Sequence, residues 1–320
     1  MATNMKVWQI ASPAASPTAC AEFFLRHGVA LLSPGDPGRW TPARYSGDFA
    51  ARDWMEWFAE TMSVGDALLL RTGATRICGV GLVASGYEYD ERFDDVQGVD
   101  LQHYRRVHWY RLPGEYDFGE SVFTKGRFSA VKKPAVLDYV RRFLASPPTH
   151  WQTADLPPLP PEEPLLEQVP EAIAQIAAEV QDYVGLVPNR DRFGNYPLEA
   201  EIVAHFVVPF LRALGWRPEH IALEWGNERK KPDVVVFRSL PRCAENCAFV
   251  IEAKSLGSGV EQAHKQTLGY LKQYGLKCPF VVTDGIRYRL YDETGAHIAY
   301  TNLFRLKKSA VEFLTRLKRP

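Results

Sequence analysis

The chain has 320 residues, enough for two hydrophobic cores, and with 46% apolar and 24% charged residues it has the composition of a globular protein. Its 38 basic side chains balance 38 acidic ones, so overall charge gives no pull toward a polyanion, and a nucleic-acid partner requires a local basic patch. Residues 1–10 lack the charged start and apolar run of a signal peptide, and no stretch approaches the about 18 apolar residues of a membrane helix, so the expectation is a cytoplasmic protein with no membrane partner.

In the first half, helical spacing of apolar residues runs from Thr18 to His27 and from Phe49 to Met62. Ala67-Leu68-Leu69-Leu70, the turn residues Thr72-Gly73 and Ile77-Cys78-Gly79-Val80-Gly81-Leu82-Val83 predict a β-hairpin. A further strand fits Val107 to Leu112. Strands around a few helices, without βαβ alternation, predict a small barrel-like α+β domain over residues 1–145. Residues 146–170 hold eight prolines, including Pro157-Pro158 and Pro160-Pro161. Proline removes backbone donors and favours extended polyproline structure, so this stretch reads as a semi-rigid linker.

The second half, residues 171–320, begins with helical patterns from Glu171 to Tyr183 and from Leu198 to Leu214, the latter closed by Gly215. Strands follow from Asp233 to Phe237 and from Ala248 to Ile251. A helix from Gly259 to Tyr274 separates them from strands at Phe280 to Thr283 and Tyr288 to Tyr291. The order α-β-β-α-β-β predicts a mixed sheet flanked by helices, placing the chain in the α/β (α+β) class. Cys20, Cys78, Cys243, Cys247 and Cys278 have no C-x-x-C or zinc spacing and are expected as free thiols; Cys243 and Cys247 could pair in an oxidising compartment.

Pro232-Asp233 opens one strand of this half and Glu252-Ala253-Lys254 closes the next. Side chains alternate along a strand, so Glu252 and Lys254 share a face, and strand pairing brings Asp233 beside them. Two carboxylates suit a hard divalent cation such as Mg²⁺ or Mn²⁺ that keeps several waters. Such an ion activates a water and neutralises charge on a scissile phosphate, while a nearby lysine orients the water or stabilises the transition state. A Glu-x-Lys triplet alone says little. Glu228-Arg229-Lys230 is another, and a surface ion pair between Glu252 and Lys254 is the plain alternative.

On the helix from Leu198, Glu199 shares the apolar sector of Ile202, Val203, Phe206, Phe210 and Leu214. A carboxylate there is costly unless paired or metal-bound, although a first-turn acid also suits the helix dipole. Gln262, Gln266 and Tyr270 recur four apart on the next helix, with Gln273 nearby. They form a solvated face unless that face turns toward the strand ends.

Pro232-Asp233, Glu252-Ala253-Lys254 and Gln266-Thr267-Leu268-Gly269-Tyr270 together resemble the PD-(D/E)XK nuclease superfamily with its Q-x-x-x-Y motif. Within it, the chain looks like the nuclease domain of type I restriction-enzyme motor subunits. Glu199-Ala200-Glu201 through Leu214-Gly215-Trp216 is similar to the first helix of that domain. Val281-Val282-Thr283-Asp284-Gly285, with Arg289-Leu290-Tyr291, is similar to its final strands. The resemblance implies that Asp233, Glu252 and Ala253 hold Mg²⁺ or Mn²⁺, that Lys254 serves the water, and that Gln266 and Tyr270 support the site. Glu199 corresponds to the helix glutamate. The chain has no P-loop, so the resemblance does not extend to a motor.

In the first half, Gly65-Asp66, Gly79-Val80-Gly81-Leu82-Val83 and His108-Trp109 resemble a PUA-like or EVE-like domain, a type that holds modified bases. A base pocket needs aromatic walls, and Trp40, Tyr87 and Trp109 are the candidates, although most rings of this half belong to a core. Arg105-Arg106, Arg127, Lys132-Lys133 and Arg141-Arg142 form a basic group before the linker. Arg229-Lys230-Lys231 lie beside the acidic residues as candidate DNA-backbone contacts. The reading is a modification-dependent restriction endonuclease of antiviral defence, acting on DNA with modified bases; cutting both strands would call for a homodimer. Two alternatives stay open: a nuclease whose front half senses a partner or small nucleotide signal, and an inactive nucleic-acid-binding protein.

Overall fold

Apolar runs of four to seven residues, too short for buried helices, pair into one mixed sheet in each half of the chain. The computed structural model describes residues 5–13, 17–32, 38–43, 45, 52–124, 126–148, 151, 155–186, 199–228, 230–255 and 261–320, the side chains of 184–186, 261 and 262 excepted. The chain divides into two units, residues 1–162 and 163–320, and is mixed α+β throughout. Among the described residues no helix is long and apolar enough to cross a membrane.

The first unit runs β1 (Val7–Ala11), α1 (Pro17–His27), β2 (Val29–Leu32), α2 (Arg52–Glu56, extended by a π turn at Trp57–Thr61), β3 (Ala67–Arg71), β4 (Arg76–Val83), β5 (Glu88–Tyr89), β6 (His103–Asp117), β7 (Phe128–Ala130) and α3 (Pro134–Ala145). The sheet order is β2-β6-β4-β3-β1-β7, with β5 on β6. The expected hairpin is present as antiparallel β3 and β4, whereas β1 lies parallel to β3. Residues of period two divide between two cores. Trp8, Ile10, Leu68 and Leu70 bury with Phe24 of α1, and Val7, Leu69 and Val80 bury with Val136 and Val140 of α3. With both faces covered, β3 is continuously apolar up to Arg71. Asp66, also buried, accepts from the backbone N–H groups of Lys6 and Ser63 and from Trp8 Nε1 at 3.0, 3.0 and 2.8 Å, which satisfies its charge.

The proline-rich stretch is anchored at its ends. Arg106 donates to the Pro157 carbonyl and Arg92 to that of Pro160 at 3.2 Å, within the first unit. In the second unit, Leu166 N–H bonds the Leu306 carbonyl at 2.7 Å, and Glu163 accepts from Ser309 N–H at 2.6 Å.

The second unit begins with α4 (Glu171–Leu186) and α5, which runs as Glu199–Ile202, a π turn at Val203–Val207, and Val208–Ala213. Pro209 has no N–H to return to the preceding turn, and the π turn accommodates that loss. There follow β8 (Ile221–Leu223), β9 (Val234–Phe237), β10 (Cys247–Ala253), α6 (Glu261–Tyr274), β11 (Phe280–Thr283), β12 (Arg287–Tyr291), β13 (His297–Asn302) and α7 (Ala310–Leu317). The sheet order is β13-β12-β11-β10-β9-β8; β10 and β11 are parallel, the other neighbours antiparallel. Ile251, Ala253, Val281 and Tyr288 face Phe210 of α5 and Phe313 of α7, while Val250, Phe280 and Val282 face Ala263 and Leu271 of α6. Each such side chain contributes about 1.5–3 kcal/mol of burial, which fixes the register of β10 and therefore where its last residues point.

Candidate functional site

Glu252, Ala253 and Lys254 lie at the C-terminal end of β10, and Asp233 immediately precedes β9 alongside. The Ala253 side chain is buried in the α5–α7 core, so any role it has at the site runs through its backbone; its N–H donates to Asp233 Oδ2 at 2.7 Å. Glu252 points to the opposite face and is 2% exposed. Its Oε1 accepts from Lys254 Nζ at 2.9 Å and from Gln266 Nε2 at 2.5 Å. Gln266 also donates to Tyr270 Oη at 2.7 Å, so one face of α6 clamps the carboxylate. Lys254 Nζ reaches Glu199 Oε1 at 3.4 Å from its other side. The structure therefore brings together Asp233, Glu252, Lys254, Glu199, Gln266 and Tyr270 from four elements. Glu199 is nearly half exposed rather than buried on the apolar face of its helix, and it reaches the centre through Lys254.

Electrostatics set this cluster apart from a surface ion pair. Burial, then the neighbouring Asp233, pushes Glu252 up to about 7 despite Lys254. Burial also raises Asp233, against the Ala253 N–H and the Lys254 charge. Burial pulls down on the Lys254 ammonium, but hydrogen bonding and charge from Glu252, with Glu199 and Asp233, more than offset it and leave it above an ordinary lysine. The buried Glu252 carboxyl thus sits beside a half-buried Asp233, whose charge adds to the cost of burial. Glu252 Oε2 is buried with no hydrogen-bond donor. A divalent cation fits there, since its charge would offset the neighbouring carboxylates and give Glu252 Oε2 a partner. Among the described residues no group of three or more His, Cys, Asp or Glu side chains converges as a metal cage.

Of the basic triplet, Arg229 lies outside the described residues, Lys230 is exposed and Lys231 half-buried. Gln262 also falls outside the described side chains. The helix expected from Phe49 is described only from Arg52.

In the first unit Trp40 and Tyr87 come together. Tyr87 Oη accepts from Trp40 N–H at 2.9 Å and contacts His103 Nδ1 at 2.9 Å, and its ring stacks on His103. Trp40 Nε1 donates to Glu60 at 2.8 Å, and Tyr45 Oη meets His103 Nε2 at 3.2 Å. Sequence spacing gave no sign of His103, which joins Tyr87 only through the fold. Trp109 is placed differently: its Nε1 donates to the Val29 carbonyl at 2.8 Å, and its ring lies where a Cβ on Gly81 would sit at 2.6 Å. The basic group before the linker is also not one surface. Arg105 is buried and donates to the carbonyls of Phe58, Ser85 and Ala59 at 2.7, 3.0 and 2.9 Å. Arg141 pairs with Asp138 at 2.8 Å. Among the cysteines, all free, Cys247 meets Cys278 rather than Cys243, with the sulfurs 3.3 Å apart.

A family model described as Domain of unknown function (DUF8426) matches residues 43–126, inside the first unit. No curated protein matches the chain. Among solved structures the chain is similar to a fragment assigned to an HsdR subunit of a type I restriction enzyme from Vibrio vulnificus YJ016, at 23% identity and TM-score 0.27, over 38% of this chain and 25% of that one. It is also similar to the YTH domain of the Zygosaccharomyces rouxii MRB1 protein, solved with N6-methyladenosine RNA, at 15% identity and TM-score 0.30, over 44% of this chain and 88% of that one. The chain thus spans a quarter of the restriction-enzyme fragment. At these scores neither likeness bears on the chemistry, which rests on the geometry of Asp233, Glu252 and Lys254.

Proposed function

We propose that the chain is a Mg²⁺- or Mn²⁺-dependent endodeoxyribonuclease, in which the first unit reads a modified base and the second hydrolyses a phosphodiester bond. The observation that carries the reading is the buried Glu252 carboxylate beside half-buried Asp233 and Lys254, with Glu252 Oε2 lacking a hydrogen-bond donor. Asp233 and Glu252 would hold the ion, with the Ala253 backbone fixing Asp233. When bound, the ion supplies an activated water and neutralises charge on the phosphate.

The rest falls to the chain's own groups. Gln266, braced on Tyr270, occupies Glu252 Oε1 and leaves Oε2 as the free oxygen. Lys254 stays protonated among three carboxylates and donates toward the oxygen on which negative charge grows. Glu199, open to solvent, steadies Lys254 from the far side and is placed to hold the incoming water. In the first unit, Trp40 and Tyr87 with the buried His103 gather aromatic rings of the kind that stack on a flipped base.

Purified full-length protein with Mg²⁺ is expected to cut DNA carrying modified cytosines and to spare the matched unmodified DNA. Asp233→Ala and Lys254→Ala are each expected to abolish cutting. Equal cutting of both substrates would remove the reader, and cleavage indifferent to either substitution would place the activity elsewhere.

A further inference from the structure

We infer that Tyr274 is a positioning residue that holds the basic loop between β8 and β9 ready for the phosphates of the DNA substrate. The inference rests on the nuclease reading and adds to it the element that grips the nucleic-acid backbone. The loop leaves β8 at Glu224, whose N–H bonds the Asp233 carbonyl at 3.0 Å, so the loop closes on a residue of the acidic pair. Between these ends, four contacts converge on the last turn of α6. Tyr274 Oη donates to the Lys230 carbonyl at 3.1 Å, and Gln273 Nε2 donates to the same oxygen at 3.3 Å. Gly226, at φ +120°, lies so close beneath the Tyr274 ring that a Cβ there would sit 2.4 Å from a ring carbon. The ring also packs against Trp225, with centroids 5.6 Å apart.

The placement on α6 gives this a purpose. Gln266, Tyr270, Gln273 and Tyr274 follow one helical stripe at i, i+4, i+7 and i+8. The first two fix Glu252, and the last two fix the backbone of Lys230. One rigid helix therefore sets the spacing between the acidic centre and the basic loop. Among the described residues, neither the Lys230 nor the Lys231 side chain has an ionic or hydrogen-bonding partner, whereas Lys254 is committed to carboxylates. In a chain of zero net charge, uncommitted lysines beside the acidic centre are the groups that can release counterions from a phosphate backbone. A loop already pinned at Gly226 and Lys230 does not have to be ordered when DNA arrives.

The test is binding of a short DNA duplex by the full chain over a salt series, with Ca²⁺ replacing Mg²⁺ to hold off cleavage, alongside steady-state cutting in Mg²⁺. Tyr274→Phe deletes only the hydroxyl, and Gly226→Ala pushes the ring away. Each is expected to weaken binding by about threefold to tenfold, the reach of one lost hydrogen bond, with the loss in KM rather than kcat. Replacing Lys230 and Lys231 together by alanine is expected to lower the slope of log affinity against log salt by about one to two, the share of two phosphate contacts. Adding Tyr274→Phe to that double variant should cost nothing further, because the loop no longer carries charge to place. Additive losses, an unchanged salt slope, or a fall in kcat at constant affinity would overturn the inference, and Tyr274→Phe keeps it testable if Gly226→Ala fails to fold. If the chain binds with this pattern but no substitution at Asp233 affects cutting, the nuclease reading falls and the grip stands. If cutting depends on Asp233 while the loop variants bind like wild type, the reverse holds; failure to bind DNA overturns both.

Discussion

Replacing Glu252 by glutamine should make the metal-free protein more stable at alkaline pH while removing its activity. In the folded chain Glu252 is pushed from 4.5 up to about 7, first by burial and then by Asp233. A carboxyl raised in this way favours folding while it holds its proton. Its contribution is therefore complete below about pH 4.5 and is lost as pH climbs through about 7. The gap caps the cost of ionisation at about 3 kcal/mol, and about 2 kcal/mol is the expected value once the structure relaxes around the charge. Glutamine has no charge to desolvate, and its Oε1 still accepts from Lys254 and Gln266. Thermal melts in EDTA at pH 5 and pH 8.5 read the effect on the second unit. The variant should match wild type within error at pH 5 and melt roughly 4–8 °C higher at pH 8.5. Added Mg²⁺ or Mn²⁺ should then raise the melting point of wild type and leave the variant unmoved. A variant that melts lower than wild type at pH 8.5 would show Glu252 to be a structural partner of Lys254, and the reading of the site would fail with it.

Two other outcomes follow from the packing. Gln266→Ala removes the donor on Glu252 Oε1 and the brace to Tyr270, so cleavage should fall about tenfold to a hundredfold, as when groups that orient a metal ligand are lost, with folding intact by circular dichroism. Gly81→Ala puts a methyl 2.4 Å from Val107 Cγ1 and 2.6 Å from the Trp109 ring. It should destabilise the first unit by about 1–3 kcal/mol in urea denaturation, and a neutral result would mean that Trp109 is free to move there.

Much of the candidate site was legible in one dimension because it obeys local periodicities. Strand alternation predicts that Glu252 and Lys254 share a face, and their side chains meet at 2.9 Å. Helical spacing predicts the stripe of Gln262, Gln266 and Tyr270, with Gln273 nearby, but reads it as a solvated face; only the packing of α6 beside β10 turns Gln266 and Tyr270 to the strand end. Glu199 illustrates the limit. Its helical sector predicts a carboxylate among apolar neighbours, but the π turn at Val203–Val207 shifts the register, and Glu199 sits half open, joined to Lys254 across 55 positions of sequence. The three-residue strand β8 carries too few residues for a period to register.

Composition and spacing determined the class of fold and the residue types gathered at the ends of β9 and β10. Those follow from local rules, since propensity and side-chain period are properties of neighbouring residues. Only the tertiary structure decided that Glu252 would be nearly sealed from water with one oxygen unmatched, and that Trp109 would lie over Gly81 rather than with Trp40 and Tyr87. It also decided that Arg105 would be spent on buried carbonyls while Lys230 was left exposed under Tyr274. Burial, and the charge shifts that come with it, depend on which distant segments close over a residue, and no window of sequence contains them.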